Sequence, residues 1–421
     1  MHNLFVVLKL NTMDRIIQRG LVFLVFAMPL VFSHATTEVY GLIKWVVLEL
    51  GVLALLVMWL IQLVNLGTDT LVSNRVRHLR SQSLNWAVLS FFAIALLSLI
   101  KASNKYEGVA SIYQLGAGIG LFFLVVNKVK EKRQVNEIVF AMVLSGLVAC
   151  FFSLYEIRGI KFSVSRLAYT STFGNPIFFA QYLSLVIPIS VAMCFRKEQE
   201  KRLARIFFGL SALFMLVFVI LTRSRGAYLG LSVAFLYSYI VLLSRCSGKL
   251  RRVLIWILVI CLFAAVLGLS FSVGERHRLR NLMRVYMWSS TFEMVKDNPV
   301  LGAGTGNFKV VYPLYRSPEE REVTPKGVTY SKAHNDFLQV WAETGTLGLI
   351  CFLWILLSLV FLKRVSPLRG QNILDGPSAH ISFGVSTALI ALLSQALFNP
   401  VLYVPVSAMG FWVLVGLLAL R

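Results

Sequence analysis

His334 and a small set of arginines are the residues of this sequence best suited to chemistry. The run Ser331-Lys332-Ala333-His334-Asn335-Asp336-Phe337-Leu338-Gln339-Val340-Trp341 predicts a helix starting near Ser331, with His334 in its first turn on the face of Leu338 and Trp341. A helix N-terminus disfavours imidazolium, so it helps keep the ring neutral and able to accept a proton. His334 is therefore a candidate general base; a structural histidine fits the same spacing. Arg223 and Arg225 stand in Leu221-Thr222-Arg223-Ser224-Arg225-Gly226-Ala227, the whole turn between two apolar runs, with no acidic partner nearby in sequence. Charge at a membrane surface is costly and points to function; snorkelling to lipid headgroups is the alternative. Arg284 and Trp288 are four apart and share a face of a helix expected over 278–297, stopped by Asn298-Pro299 because proline cannot continue it. Arg166 opens another polar turn that runs through Thr170, Ser171, Thr172 and Gly174 to Asn175-Pro176. An anion site beside a proton acceptor is the chemistry these types suggest, with a merely solvated basic loop as the alternative. No Cys or His cluster has metal-ligand spacing.

Between the two helices lies Leu301-Gly302-Ala303-Gly304-Thr305-Gly306-Asn307-Phe308. Its glycines permit positive φ and close backbone approach. The spacing is wrong for a dinucleotide fingerprint, and a tight turn is the preferred reading over direct phosphate cradling. The segment 311–330, with charges and Pro313, Pro318 and Pro325, reads as mobile.

The elements that must position these residues are membrane helices. Of 421 residues 57% are hydrophobic and 14% charged, against about 25% charged in a soluble domain. Apolar runs lie at 20–36, 42–66, 84–100, 108–126, 136–155, 174–195, 206–221, 227–244, 253–272, 345–362, 379–398 and 401–419, each of a length suited to spanning a bilayer. Alternate loops are rich in Lys and Arg: Arg75, Arg77 and Arg80; Lys128, Lys130, Lys132 and Arg133; Arg196, Lys197, Lys201, Arg202 and Arg205; Arg245, Lys249, Arg251 and Arg252; Lys363, Arg364 and Arg369. With about twelve spans these loops and both termini share one side, which the positive-inside rule makes cytoplasmic. The long polar segment 273–344 then falls outside, and long loops cross regardless of charge. The fold expected is an all-α polytopic membrane protein: helices one to nine over 1–272, a catalytic loop containing helices over 273–344, and helices ten to twelve over 345–421. The net charge of +22 is mostly a topology signal, and no nucleic-acid partner is expected.

Thr222–Ala227, Arg284 with Trp288, Asn298-Pro299 through Phe308, and His334-Asn335 with Gly345 together resemble the O-antigen ligase family and its polysaccharide-polymerase relatives, in order, in sidedness and in the twelve-span frame. The resemblance implies an all-helical membrane glycosyltransferase architecture of the C type in a bacterial inner membrane, working on the periplasmic face without nucleotide, metal or other cofactor. The donor would be a glycan on undecaprenyl pyrophosphate, and the acceptor a sugar hydroxyl of lipid A–core or another glycan. His334 matches the family's base; Arg225 and Arg284 match its two arginine positions, for the lipid pyrophosphate. Arg223, Arg280, Arg166, Asn335 and Trp288 are supporting candidates. A hydroxyl nucleophile needs a base, a leaving pyrophosphate needs positive charge, and the planar guanidinium suits phosphate oxygens. Displacement by an activated hydroxyl would invert the anomeric centre. A Wzy-type polymerase using the same donor is one alternative. A polysaccharide or lipid transporter is another; it would want charge and broken helices near mid-membrane, where this sequence offers mainly Lys44 and Glu49, both near one end of a span.

Overall fold

The computed structural model describes residues 2–33, 40–65, 83–159, 169–195, 202–244, 275–324, 330–365 and 379–420, with single positions at 248, 253 and 255; the side chains of 2–11, 157–159, 275–281, 361–365 and 379 lie outside that description. Among the described residues the regular structure is helical throughout. In chain order it comprises α1 (His2–Ala27), α2 (Leu42–Asn65), α3 (Ser83–Ser98), α4 (Lys105–Lys128), α5 (Lys132–Gly159), α6 (Pro176–Cys194), α7 (Arg202–Thr222) and α8 (Arg225–Leu243). After these come α9 (Glu275–Asp297), the short α10 (Phe308–Val311) and α11 (Pro318–Val323), then α12 (Asp336–Val365), α13 (Ala379–Ala396) and α14 (Pro405–Ala419).

Eight of the described helices, α2 to α8 and α12, are long and apolar enough to cross a membrane, and α13 and α14 are shorter apolar helices. This is a multi-pass membrane protein. The first expected run, 20–36, overlaps only the end of α1, which stops at Ala27, and α1 is not among the eight. The ninth, 253–272, lies outside the described residues apart from positions 253 and 255.

Helix boundaries follow local chemistry. Asn175 caps α6 by accepting from the Ile177 N–H at 2.8 Å, and Pro176 takes the first helical position, where its missing N–H costs nothing. The turn between α7 and α8 is only Arg223 and Ser224, with Arg223 at φ 50°. α6 is the central helix. It packs on α5, α7, α8, α13 and α14, and nearly all its side chains are buried.

Two buried lysines do structural work. Lys44 donates to the carbonyls of Met28, Pro29 (2.9 Å) and Val31, satisfying backbone acceptors of the turn that follows α1. That use accounts for the charge singled out in the second span. At the other end of α2, Lys128 pairs with Asp14 at 2.8 Å and bonds Gln62, while Gln62 Nε2 donates to the same Asp14 oxygen at 2.9 Å.

The described residues of 275–324 and 330–344 contribute a small second core on one end of the bundle, with Met287, Met294, Val295, Phe308, Tyr312, Ala333 and Ala342 buried together. The expectation of a mobile 311–330 is corrected over 311–324. Glu320 is fully buried, accepting from Ser290 Oγ at 3.0 Å and from Arg316 Nε at 3.0 Å, so α11 is bolted to α9. Residues 325–329 lie outside the described set.

Candidate active site

α12 starts at Asp336, and Asn335 is its cap: Oδ1 accepts from the Leu338 N–H at 3.1 Å. His334 therefore sits one residue before the cap, outside the helical turn expected from the sequence. Its backbone is left-handed, with φ 51°. That region costs an L-residue about 1–2 kcal/mol, and non-glycine residues held there cluster at functional sites. The ring meets Tyr330 edge-on at 6.5 Å, and Tyr330 continues to Tyr312 and Phe308. Burial and, second, the Arg284 guanidinium push the His334 imidazolium down to about 4. The ring is thus neutral at physiological pH, as expected from the sequence, but burial and a nearby cation are the causes.

Arg284 and Trp288 project from α9 toward the same strip of chain. Trp288 Nε1 donates to the carbonyl of Ala333 at 2.9 Å, and its ring lies 6.0 Å from Phe398 in the α13–α14 connection. Arg225 is the first residue of α8 and is exposed, as is Arg223. The next residue, Gly226, lies so close to Asn399 that a Cβ there would stand 2.0 Å from its Nδ2. The α13–α14 connection thus touches both the start of α8 beside Arg225 and the Trp288 ring beside Ala333. Of Arg280 only the backbone is described, and Arg166 lies outside the described residues.

The glycine segment is a tight joint. The N–H groups of Gly302, Ala303, Gly304, Thr305, Asn307 and Phe308 go to Asn298 O, Ala342 O, Glu343 O, Ser98 Oγ, Gly304 O and Glu343 Oε1. These amides are committed to protein acceptors, so the reading as a turn holds over phosphate cradling. Gly302, Gly304 and Gly306 have positive φ. α12 is kinked at Gly345 (φ 69°, ψ −172°), where the expected loop helix gives way to the expected tenth span.

Residues 210–353 match the sequence model for the O-antigen ligase family. The matched stretch is about a third of the chain. The match takes in Arg225, Arg284, Trp288, His334, the glycine joint and the Gly345 kink, and the family's members are membrane glycosyltransferase-like ligases and polymerases. An uncharacterised protein of Haemophilus influenzae is 24% identical over 311 residues, 66% of this chain and 72% of its own length.

Within and beside the matched stretch lies a polar network that the sequence reading passed over. Asp336, Gln339 and Glu343 are all about 1% exposed. Asp336 Oδ2 accepts from the N–H groups of Val401 and Leu402 at 2.9 and 2.8 Å, fastening the α13–α14 connection beneath His334. Gln339 Oε1 accepts from the Ala333 N–H at 2.6 Å, and its Nε2 donates to Glu343 Oε1 at 2.7 Å. Tyr403 donates to Glu343 Oε2 at 3.3 Å. Lys332 Nζ stands 4.1 Å over the Tyr403 ring; burial lowers its pKa against the pull of Glu343 and Asp336. A signal was readable: Asp336, Gln339 and Glu343 are polar residues at i, i+3 and i+7, one stripe of a helix that leads into an apolar span.

Two recesses lie among the described helices, and only the first touches the network. One of about 60 Å³ is lined by Trp45, Ser111, Gln114, Glu343, Tyr403 and Trp412 among others, a size for water and too small for a sugar ring. A shallow one of about 410 Å³ between Cys194, Arg202, Arg205, Ile206 and Gly209 lies at the far ends of α6 and α7 from Arg225 and His334.

Proposed function

We propose that this protein is an O-antigen ligase: it transfers a glycan from undecaprenyl pyrophosphate to a sugar hydroxyl of lipid A–core. The observation that carries the proposal is a neutral, half-buried His334 beside Arg284, inside the stretch that matches the O-antigen ligase family. In this reading the acceptor hydroxyl gives its proton to the His334 imidazole as its oxygen attacks the anomeric carbon. The bond from that carbon to the pyrophosphate oxygen breaks, the configuration inverts, and the leaving pyrophosphate keeps the electron pair. Arg284 and Arg225 stabilise its growing charge, with Arg223, Arg280 and Arg166 as supporting cations. Trp288 and Asn335 hold the chain on either side of His334. The site needs no metal in this scheme, since guanidinium supplies the charge.

The arrangement in the membrane is part of the proposal. The protein sits in the inner membrane of a bacterium, with 1–272 and 345–421 as its membrane parts, 273–344 as its periplasmic catalytic segment, and both termini in the cytoplasm. The alternation of Lys and Arg between loops supports this orientation.

A Wzy-type polymerase shares the donor, the base and the arginines, and differs in what presents the attacking hydroxyl. The deciding assay incubates purified protein with lipid-linked repeat units, with and without lipid A–core. A ligase consumes donor only when lipid A–core is present. A ladder of lengthened lipid-linked chains without it would establish the polymerase, and no new glycosidic bond under either condition would sink both.

A further inference from the structure

Ala333 is gripped on both of its polar groups. Its N–H goes to Gln339 Oε1 at 2.6 Å, and its carbonyl receives Trp288 Nε1 at 2.9 Å. Ala333 itself is fully buried. The next residue is His334 in its left-handed conformation, and the one after is the helix cap Asn335. Trp288 of α9 therefore holds the peptide that joins Ala333 to His334, Gln339 of α12 holds the peptide before it, and the chain leaving His334 is fixed by the cap.

Gln339 is not a passive acceptor. Its amide has two ends, and only one orientation serves: the oxygen must face the Ala333 N–H and the NH₂ must face away. Glu343 enforces that choice. An ionised carboxylate only accepts, so Oε1 at 2.7 Å requires the NH₂ end of Gln339. Glu343 is in turn held by Tyr403 and by the Phe308 N–H. The order of contacts runs from the α13–α14 connection and the glycine joint, through Glu343 and Gln339, to the backbone beside His334.

We infer that Gln339 is a positioning residue for the transfer reaction, holding His334 in the strained backbone conformation that aims its imidazole at the acceptor hydroxyl, with Glu343 fixing the sense of the Gln339 amide. The inference rests on His334 being the base. A base displaced by about 1 Å can lose on the order of 10² in rate, so a clamp on the backbone acts on turnover and leaves donor binding by the arginines alone.

The test uses the full-length protein in detergent or nanodiscs, with Gln339→Leu and Gln339→Glu. Gln339→Leu should lower kcat by roughly 10²-fold with KM for the lipid-linked donor unchanged. Gln339→Glu keeps an acceptor for the Ala333 N–H but sets a second carboxylate against Glu343. Two carboxylates that close must share a proton, so this variant should recover turnover at low pH and lose it as pH rises, unlike wild type. A readout independent of turnover is the rate at which diethyl pyrocarbonate acylates His334, followed by peptide mass. Gln339→Leu should change that rate several-fold, because the ring's setting changes. Unchanged acylation of His334 in both variants overturns the clamp, whatever happens to kcat or to the melting temperature. If wild-type protein forms no glycosidic bond, the ligase proposal fails by itself, and the acylation comparison still decides the clamp.

Discussion

Two buried clusters at opposite ends of the protein contain the same ingredients and do different things. At one end, Lys128, Asp14 and Gln62 close on one another, with Lys130 3.8 Å from the second Asp14 oxygen and Gln18 Nε2 on the Lys128 carbonyl. Charge meets charge directly, and the three side chains join α1, α2 and α4. At the other end, Lys332, Asp336, Gln339 and Glu343 avoid that closure. Lys332 rests on an aromatic face, Asp336 spends one oxygen on two backbone N–H groups, and its other oxygen is buried with no partner among the described residues. The first cluster spends its polar groups on itself and so holds helices together. The second spends them on backbone: the Ala333 N–H, the Phe308 N–H and the 401–402 turn. What it secures is the path of the chain around His334.

Single substitutions can break this contrast. The largest effect is expected at His334→Ala, which should lower transfer by roughly 10²–10⁴-fold while the protein still inserts and melts as wild type does. Turnover assays beside thermal unfolding read both quantities, and a folded variant with near-normal turnover would remove His334 as the base. Lys128→Met should show the reverse pattern. Leaving Asp14 without its closest cation should cost about 1–3 kcal/mol of stability, since Gln62 and Lys130 remain beside it, with kcat per folded molecule unchanged. A loss of kcat without a loss of stability would erase the distinction between the clusters.

A smaller effect sharpens it. In the free protein His334 is neutral above about pH 4, so kcat/KM should stay flat down to that region instead of falling near 6.5. Bound pyrophosphate brings negative charge beside Arg284, and opposite charge favours imidazolium. The acid limb of kcat should therefore lie at higher pH than that of kcat/KM. Coincident limbs would mean that the donor phosphates do not sit near His334. The same lowered value acts on stability. Between the ordinary histidine value of 6.5 and about 4 the unfolded chain binds the extra proton, so this residue's share of stability is present above that window and is lost as pH falls through it.

Much of this molecule was legible in its sequence because a bilayer reduces the rules to a few. Apolar runs had to be helices, since every backbone group in lipid must be paired internally, and most of the expected runs fall on described helices. Proline and glycine marked the end of α9 at Asn298-Pro299 and the break at Gly345. The candidate residues were found by type, and His334 and Arg284 do come together. What escaped was tertiary. The placement of His334 before the cap depends on Gln339 reaching back to Ala333 and on Trp288 arriving from α9, and no local pattern encodes either. Charge and proline content suggested mobility at 311–324, yet Glu320 is buried by Ser290, which lies far off in sequence and is ordinary in type. The role of the α13–α14 connection escaped as well, because its work is done by backbone N–H groups at Val401 and Leu402, which carry no sequence signature.

Gly302 and Gly345 lie backbone against backbone: a Cβ on either would come within 2.6 Å of the other's nitrogen. The glycine joint that follows the helix carrying Arg284 thus meets the helix that begins just after His334 main chain to main chain. Spacing set by side chains drifts whenever one residue is exchanged for a larger or smaller one. Spacing set by two bare peptides has a single value, like a gauge block between two jaws. Repacking of the apolar bundle can then alter how firmly the protein is held without altering the distance across its reactive gap.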